Sequence, residues 1–102
     1  MAKIFLYAEY QVSIPFTEID WASINPQMQT FAGLKSKTWL SGINTHTVGG
    51  FYEFDSKENA QAYIDGLLVP FASQINGNLS VKLFDGDVVA EASKGMQSPF
   101  YE

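Results

Sequence analysis

Residues 34–56 read LKSKTWLSGINTHTVGGFYEFDS, and the predicted fold depends chiefly on this stretch. Residues 34–40 alternate in the manner of a strand, and residues 41–44 are of turn-forming types. Residues 45–54 are β-branched and aromatic, which favours a return strand. The stretch therefore predicts a β-hairpin that closes at Asp55.

The residues before the hairpin predict a strand and then a helix. Residues 3–12 carry apolar side chains on both alternating faces, which indicates a strand that is covered on both sides. Thr17 to Asp20 resembles a capping box, so we expect a helix to begin there. Pro26 disfavours helical geometry at the preceding residue and predicts a kink or two short helices.

The residues after the hairpin predict a second helix and a last strand. Ser56 is a suitable N-cap, and apolar residues recur at helical spacing from Ala60 to Phe71. Residues 79–84 alternate again as a strand. The order βαββαβ predicts an α+β, ferredoxin-like fold, an antiparallel sheet with two helices on one face, over a single domain of residues 1–102.

The other face of this sheet is the reason to expect a homodimer. Phe5, Tyr7 and the hairpin aromatics would leave that face apolar and open in a monomer. Packing of two sheets face to face is the simplest cover. Residues 88–102 are mixed in character and are candidates for an arm exchanged between subunits.

Composition limits the partners. The formal charge is −5, and the six basic residues are scattered lysines with no arginine among them. A nucleic acid or an anionic membrane needs a concentrated basic surface, so we expect neither, and a neutral or weakly polar ligand fits better. The chain lacks cysteine, which leaves the redox compartment open. The apolar run at residues 4–8 is too short for an export signal or a membrane span, which favours a cytoplasmic protein.

The hairpin also carries a family resemblance. Lys37, Trp39, His46, the run Gly49-Gly50-x-Tyr52-x-Phe54 and the capped helix that follows resemble the YdhR-type monooxygenase family. The resemblance implies a dimeric α+β barrel with a pocket between helices and sheet in each subunit. It also implies a monooxygenase that needs no cofactor and acts on a small aromatic or polycyclic phenolic substrate. The alternative is a noncatalytic module of the same fold that binds a small aromatic or apolar ligand or serves in assembly.

Three side chains are candidates for that site. His46 could be the base that deprotonates a phenol, or a solvated histidine at the end of the hairpin. Trp39 could line the pocket and stack on a flat substrate, or pack in a dimer core. Tyr52 could donate a hydrogen bond to substrate or oxygen, or satisfy its hydroxyl inside the protein. A lone histidine gives no metal-binding pattern, so no metal is expected.

The pair Gly49-Gly50 needs a structural reason, since glycine weakens a strand. It could form a β-bulge, or leave space where a ligand or a neighbouring strand approaches, so both glycines are candidate binding residues. The hairpin register stays open. Pairing of Ser41 with His46 would place Trp39 on one face with Tyr52, whereas pairing of Leu40 with His46 would place it with Phe51.

Overall fold

The computed structural model describes residues 2–12 and 20–101. Its sheet has four strands: β1 (Ile4–Gln11), β2 (Leu34–Ser41), β3 (Thr47–Phe54) and β4 (Asn78–Asp85). The spatial order is β2-β3-β1-β4, and each neighbouring pair is antiparallel. The α+β, ferredoxin-like prediction is confirmed.

Helix α1 (Trp21–Met28) connects β1 to β2. Asp20 caps it, since the Asp20 carboxylate accepts hydrogen bonds from the backbone and side chain of Ser23, and Pro26 lies inside the helix. The predicted helix start at Thr17 lies outside the described residues. The helix is short, so its position depends on contacts with the sheet more than on its own propensity.

The second helical segment follows β3. It comprises α2 (Lys57–Tyr63), a π-helical turn (Ile64–Leu68) and α3 (Val69–Gln74), and the Ser56 hydroxyl caps it as predicted. The wide turn precedes Pro70, which lacks the amide proton that an α-helix would use there. A short helix, α4 (Ala90–Gly95), follows β4. None of the helices in the described part of the chain is long and apolar enough to cross a membrane.

Strand alternation divides the sheet into two faces. The inner face packs under the helices, and its buried side chains include Leu6, Val48, Tyr52 and Phe54. The outer face carries Phe5 and Phe51, whose ring centroids are 4.9 Å apart. These two apolar layers explain why β1 carries apolar side chains on both of its faces.

The hairpin register differs from both alternatives. Ser41 pairs with Val48 and Trp39 pairs with Gly50, so neither predicted pairing with His46 occurs. The shift from the first alternative is two residues, which preserves the faces, and Trp39 therefore shares the inner face with Tyr52.

The glycine pair forms no bulge. Both glycines lie in regular register, and the irregularity is on β2 between Leu34 and Ser36. A Cβ on Gly49 would lie 2.1 Å from the carbonyl oxygen of Ala8, and a Cβ on Gly50 would lie 2.6 Å from Cε of Lys37. The glycines therefore allow close approach of the neighbouring strand and of one side chain.

The residues after β4 fold back on the outer face. Phe100 packs against Phe5 and Phe51, with centroid distances of 5.8 and 5.3 Å, and its carbonyl accepts a hydrogen bond of 2.8 Å from Nζ of Lys3. The Tyr101 hydroxyl donates to the carbonyl of Gly86 at 2.6 Å. Exchange of this segment between subunits stays a prediction.

Candidate functional site between the first helix and the edge strand

A cavity of about 390 Å³ lies between α1 and the edge strand β2. Helix α1 contributes Asn25 and Met28, and β2 contributes Lys37 and Trp39. The two strand residues are two positions apart, so alternation directs both toward the helix. The cavity thus has aromatic, thioether, amide and amine groups on its walls.

The Lys37 amine is held against aromatic rings. Nζ lies 3.3 Å from the centroid of the Trp39 ring and 4.9 Å from that of Tyr52. It also donates to Sδ of Met28 at 3.3 Å. The negative faces of aromatic rings attract a cation, so these contacts offset part of the loss of water around the amine.

Burial has a large effect on this amine. It lowers the pKa of Lys37 to about 7, since the charged form loses hydration and no carboxylate of the described residues lies within ion-pair distance. The amine therefore changes charge near neutrality. A lysine in this state can accept a proton from a ligand.

A bulge gives the two lysines of β2 different partners. Lys35 lies at the irregularity, and its Nζ is 3.8 Å from Oε2 of Glu53, a residue paired with outer-face Phe5. Lys37, after the bulge, turns to the inner face. Regular alternation would have placed both lysines on one face.

Trp39 connects the strand to α1. Its indole Nε1 donates to Oδ1 of Asn25 at 3.0 Å. The ring is therefore fixed by a helix residue at one edge while the Lys37 amine covers one face. Trp39 lines the cavity, and its role as a binding residue stays a prediction.

Tyr52 lies deeper, in the core. Its hydroxyl accepts a hydrogen bond of 3.2 Å from the hydroxyl of Tyr63. Burial, and then the neighbouring Tyr63, raise the pKa of Tyr52 far above its usual value, so the phenol stays neutral. Tyr52 contacts Lys37 through the face of its ring. A role for the Tyr52 hydroxyl as a hydrogen-bond donor to substrate stays a prediction.

His46 is not brought to this cavity. It is exposed in the turn before β3, and its backbone carbonyl accepts from the amide of Val12 at 2.7 Å. Four residues separate it from Gly50, the partner of Trp39, which corresponds to roughly 13 Å along a strand. A role for His46 as a base stays a prediction that this geometry does not favour.

Residues 6–98 match the profile of the family described as "Putative mono-oxygenase ydhR". The chain belongs to the YdhR family. A search of curated proteins gives no match.

Three solved structures share the fold of this YdhR-family chain. The NE2512 protein of unknown function from Nitrosomonas europaea is 17% identical, with a TM-score of 0.67 over 83% of this chain and 89% of that one. A monooxygenase from the gene ActVA-Orf6 of Streptomyces coelicolor, solved with the ligand nanaomycin D, is 11% identical, with a TM-score of 0.63 over 82% and 87%. Rv0793 from Mycobacterium tuberculosis is 10% identical, with a TM-score of 0.54 over 80% and 92%.

The YdhR-family chain has a second cavity, of about 480 Å³, between α1 and the segment 64–74. It is larger, but the described residues of its walls include no ionisable side chain. They consist of apolar residues and amides such as Phe31, Leu67 and Gln74. We therefore place the candidate site at the Lys37 cavity, where acid–base chemistry is available.

Sequence reasoning missed three residues of the site: Asn25, Met28 and Lys37. Lys37 has a signal in the sequence, because it stands two positions before Trp39 in an alternating strand and so shares its face. Asn25 and Met28 have none, since only the packing of α1 on β2 brings them close. In the described ranges, no group of three or more His, Asp or Glu side chains could hold a metal ion.

Proposed function

We propose that this protein is a cofactor-independent monooxygenase that oxidises a small aromatic or polycyclic phenol in the cavity between α1 and β2. The observation that carries the proposal is the position of the Lys37 amine, on the cavity wall and against two aromatic faces. Membership of the YdhR family supports the reaction class. The fold shared with the Streptomyces coelicolor monooxygenase is consistent with it.

In this mechanism the neutral Lys37 amine accepts the phenolic proton. The resulting ammonium stays beside the phenolate and stabilises its charge, and this attraction is strong because the site is partly dry. The phenolate gives one electron to dioxygen, and the two radicals combine at carbon. Loss of water completes the reaction; 1-naphthol and dioxygen, for example, give 1,4-naphthoquinone and one water. The substrate supplies all the electrons.

In this proposal, the position of the Lys37 side chain depends on Trp39, Tyr52 and Gly50. The two rings hold the amine, and the missing side chain of Gly50 leaves room for the lysine methylenes. Gly49 serves the contact between β1 and β3. The proton-accepting role that sequence reasoning gave to His46 passes to Lys37.

The test is oxygen uptake with 1-naphthol and 1,4-dihydroxynaphthalene, with products identified by mass spectrometry. We expect turnover by the wild type, loss of at least tenfold in Lys37→Met, and no change in His46→Ala. If His46→Ala loses activity while Lys37→Met retains it, the proton acceptor is His46 and not Lys37. Absence of turnover with every phenol tested would reject the oxygenase.

One observation favours a second candidate, a noncatalytic ligand-binding module. The described walls of the cavity carry no carboxylate or histidine, and their one ionisable side chain besides Lys37 is Lys35, whose Nζ lies 3.8 Å from Oε2 of Glu53. Binding alone predicts that 1-naphthol raises the melting temperature without forming product. Mass spectrometry of the incubated ligand separates the two functions.

We further propose that the protein works as a homodimer, in the cytoplasm, with the outer sheet faces in contact. Leu40 and Phe84 are exposed large apolar side chains on that face. Light scattering after gel filtration would test this. We expect a dimer in the wild type, a monomer in Phe84→Glu, and a dimer in the control Val69→Glu, whose site is exposed on α3, away from the outer sheet face.

A further inference from the structure

We propose that Nζ of Lys37 forms an imine with small aromatic aldehydes that enter the cavity between α1 and β2. This reactivity goes beyond the oxygenase and requires no oxygen. It makes the site a selective target for carbonyl compounds. The proposal rests on the surroundings of the amine, which differ from those of the other lysines.

Other lysines are paired with acids or exposed. Lys3 binds the carboxylate of Glu53 at 2.8 Å, and Lys94 binds that of Glu91 at 3.0 Å. Lys35 also faces Glu53, and the remaining two, Lys57 and Lys82, are exposed. A carboxylate partner or full exposure to solvent therefore distinguishes each of these amines from that of Lys37.

Lys37 has the opposite environment. With its pKa at about 7, roughly three quarters of the amine is neutral at pH 7.5, against about one part in a thousand for an ordinary lysine. Its nearest described neighbours are the Trp39 ring, the Tyr52 ring and the Met28 sulfur. A lysine desolvated in an apolar pocket is the form that attacks carbonyl carbon.

The groups around Lys37 leave its charge free to respond to pH. Helix α1 faces it with no ionisable residue in Trp21–Met28. From β3 it meets Tyr52, whose raised pKa keeps it neutral, while Glu53 on the same strand binds Lys3. On its own strand, Lys35 is the nearest charge, and it faces Glu53. Lys37 is therefore expected to titrate without a compensating acid.

The cavity has space for the aldehyde. Its volume of about 390 Å³ exceeds that of a benzaldehyde molecule, and the walls are partly aromatic and thioether. The lone pair of Nζ attacks the carbonyl carbon, a C–N bond forms and the C=O π bond opens. A proton moves from nitrogen to oxygen, and loss of water leaves the imine. The sum is amine plus aldehyde giving imine plus water.

The experiment uses benzaldehyde with sodium cyanoborohydride, which reduces the imine to a stable benzylamine, under argon. Peptide mapping by mass spectrometry then gives the extent of benzylation at each lysine and at the amino terminus. We expect Lys37 to react at least tenfold faster than Lys57 or Lys82 at pH 7. Its rate should pass through half of its maximum near pH 7.

Two variants test whether the fast benzylation belongs to Lys37. Lys37→Met should lose the fast reaction, and Lys57→Gln, at an exposed site outside this cavity, should retain it. Comparable rates at all lysines in the wild type, which requires no variant to fold, would overturn the proposal. Imine formation is measured under argon and phenol oxidation is measured by oxygen uptake, so the two reactions are tested separately. Either reaction can fail while the other succeeds.

Discussion

The methylene chain of Lys37 occupies the place where a side chain on residue 50 would begin. A Cβ built on Gly50 would lie 2.6 Å from Cε of Lys37 and 3.0 Å from the Tyr52 ring. The first distance is too short for two carbon atoms, and the second is tight enough that the ring would have to shift. The observed position of the half-buried lysine therefore depends on the glycine, which lies on the neighbouring strand.

Gly50→Ala should move Lys37 out of its position. The lysine chain can swing away but the Tyr52 ring is packed in the core, so we expect a loss of about 1–3 kcal/mol in the free energy of unfolding. The fast benzylation of Lys37 should fall at the same time. Urea unfolding and peptide mapping check both effects. A variant that keeps the fast reaction would show that the lysine does not depend on Gly50.

Gly49→Ala is the matched comparison. Here the new Cβ would lie 2.1 Å from the Ala8 carbonyl, which is backbone and cannot rotate aside. We therefore expect a larger loss of stability than in Gly50→Ala, from separation of β1 and β3. Urea midpoints of the two variants, measured side by side, decide the order. The reverse order would contradict the close approach of these strands.

Lys37→Met should change how stability depends on pH. The pKa of Lys37 is lowered from 10.5 to about 7 by folding, so between these values the unfolded chain binds more protons and stability rises with pH. Below pH 7 the buried charge opposes folding by an amount on the order of a few kcal/mol. The Met variant should therefore be more stable at pH 6 and should show a flatter profile up to pH 9.5.

Denaturant unfolding at pH 6, 7.5 and 9.5 measures this. Higher pH is avoided because the raised pKa values of Tyr10, Tyr52 and Tyr63 reduce stability above about pH 10. The conservative variant Lys57→Met, at an exposed site, should follow the wild-type profile. Parallel curves for wild type and Lys37→Met would mean that Lys37 keeps an ordinary pKa.

Glu53→Gln should loosen the last residues. The buried Glu53 carboxylate binds Lys3, and Nζ of Lys3 also donates to the carbonyl of Phe100. An uncharged partner leaves Lys3 largely buried without its counter-ion, which costs about 1–3 kcal/mol. Urea unfolding should show this loss, and limited proteolysis should cut faster near Phe100. Glu91→Gln, which breaks an exposed pair, should change neither result.

Tyr63→Phe tests the buried pair of hydroxyls. Removing the Tyr63 hydroxyl deletes the donor to Tyr52 and should destabilise the protein by about 1 kcal/mol. Because the Tyr52 ring remains in place against Lys37, oxygen uptake with 1-naphthol should stay within about twofold of wild type. A tenfold loss of activity with normal stability would instead place the Tyr52 hydroxyl in the reaction.

The amino-acid sequence was sufficient to predict the strands, the Ser56 cap and the ferredoxin-like order. These depend on alternation, helical spacing and capping, which act between residues close in the chain. The sequence left open whether Trp39 shares a face with Tyr52 or with Phe51, and the observed register, two residues from the first alternative, places Trp39 with Tyr52. Turn residues 41–46 permit several hairpin closures, and pairing with β1 selects one.

The choice of Lys37 over His46 as the candidate proton acceptor depends on contacts that form only in the folded protein. His46 looked like the base because histidine titrates near neutrality on its own, whereas lysine does so only when its surroundings remove water and leave out a carboxylate. That environment arises from α1 packing on β2, from the bulge at Lys35 and from the space beside Gly50. None of these is a property of neighbouring residues in the chain, because each brings together groups whose contact exists only after folding.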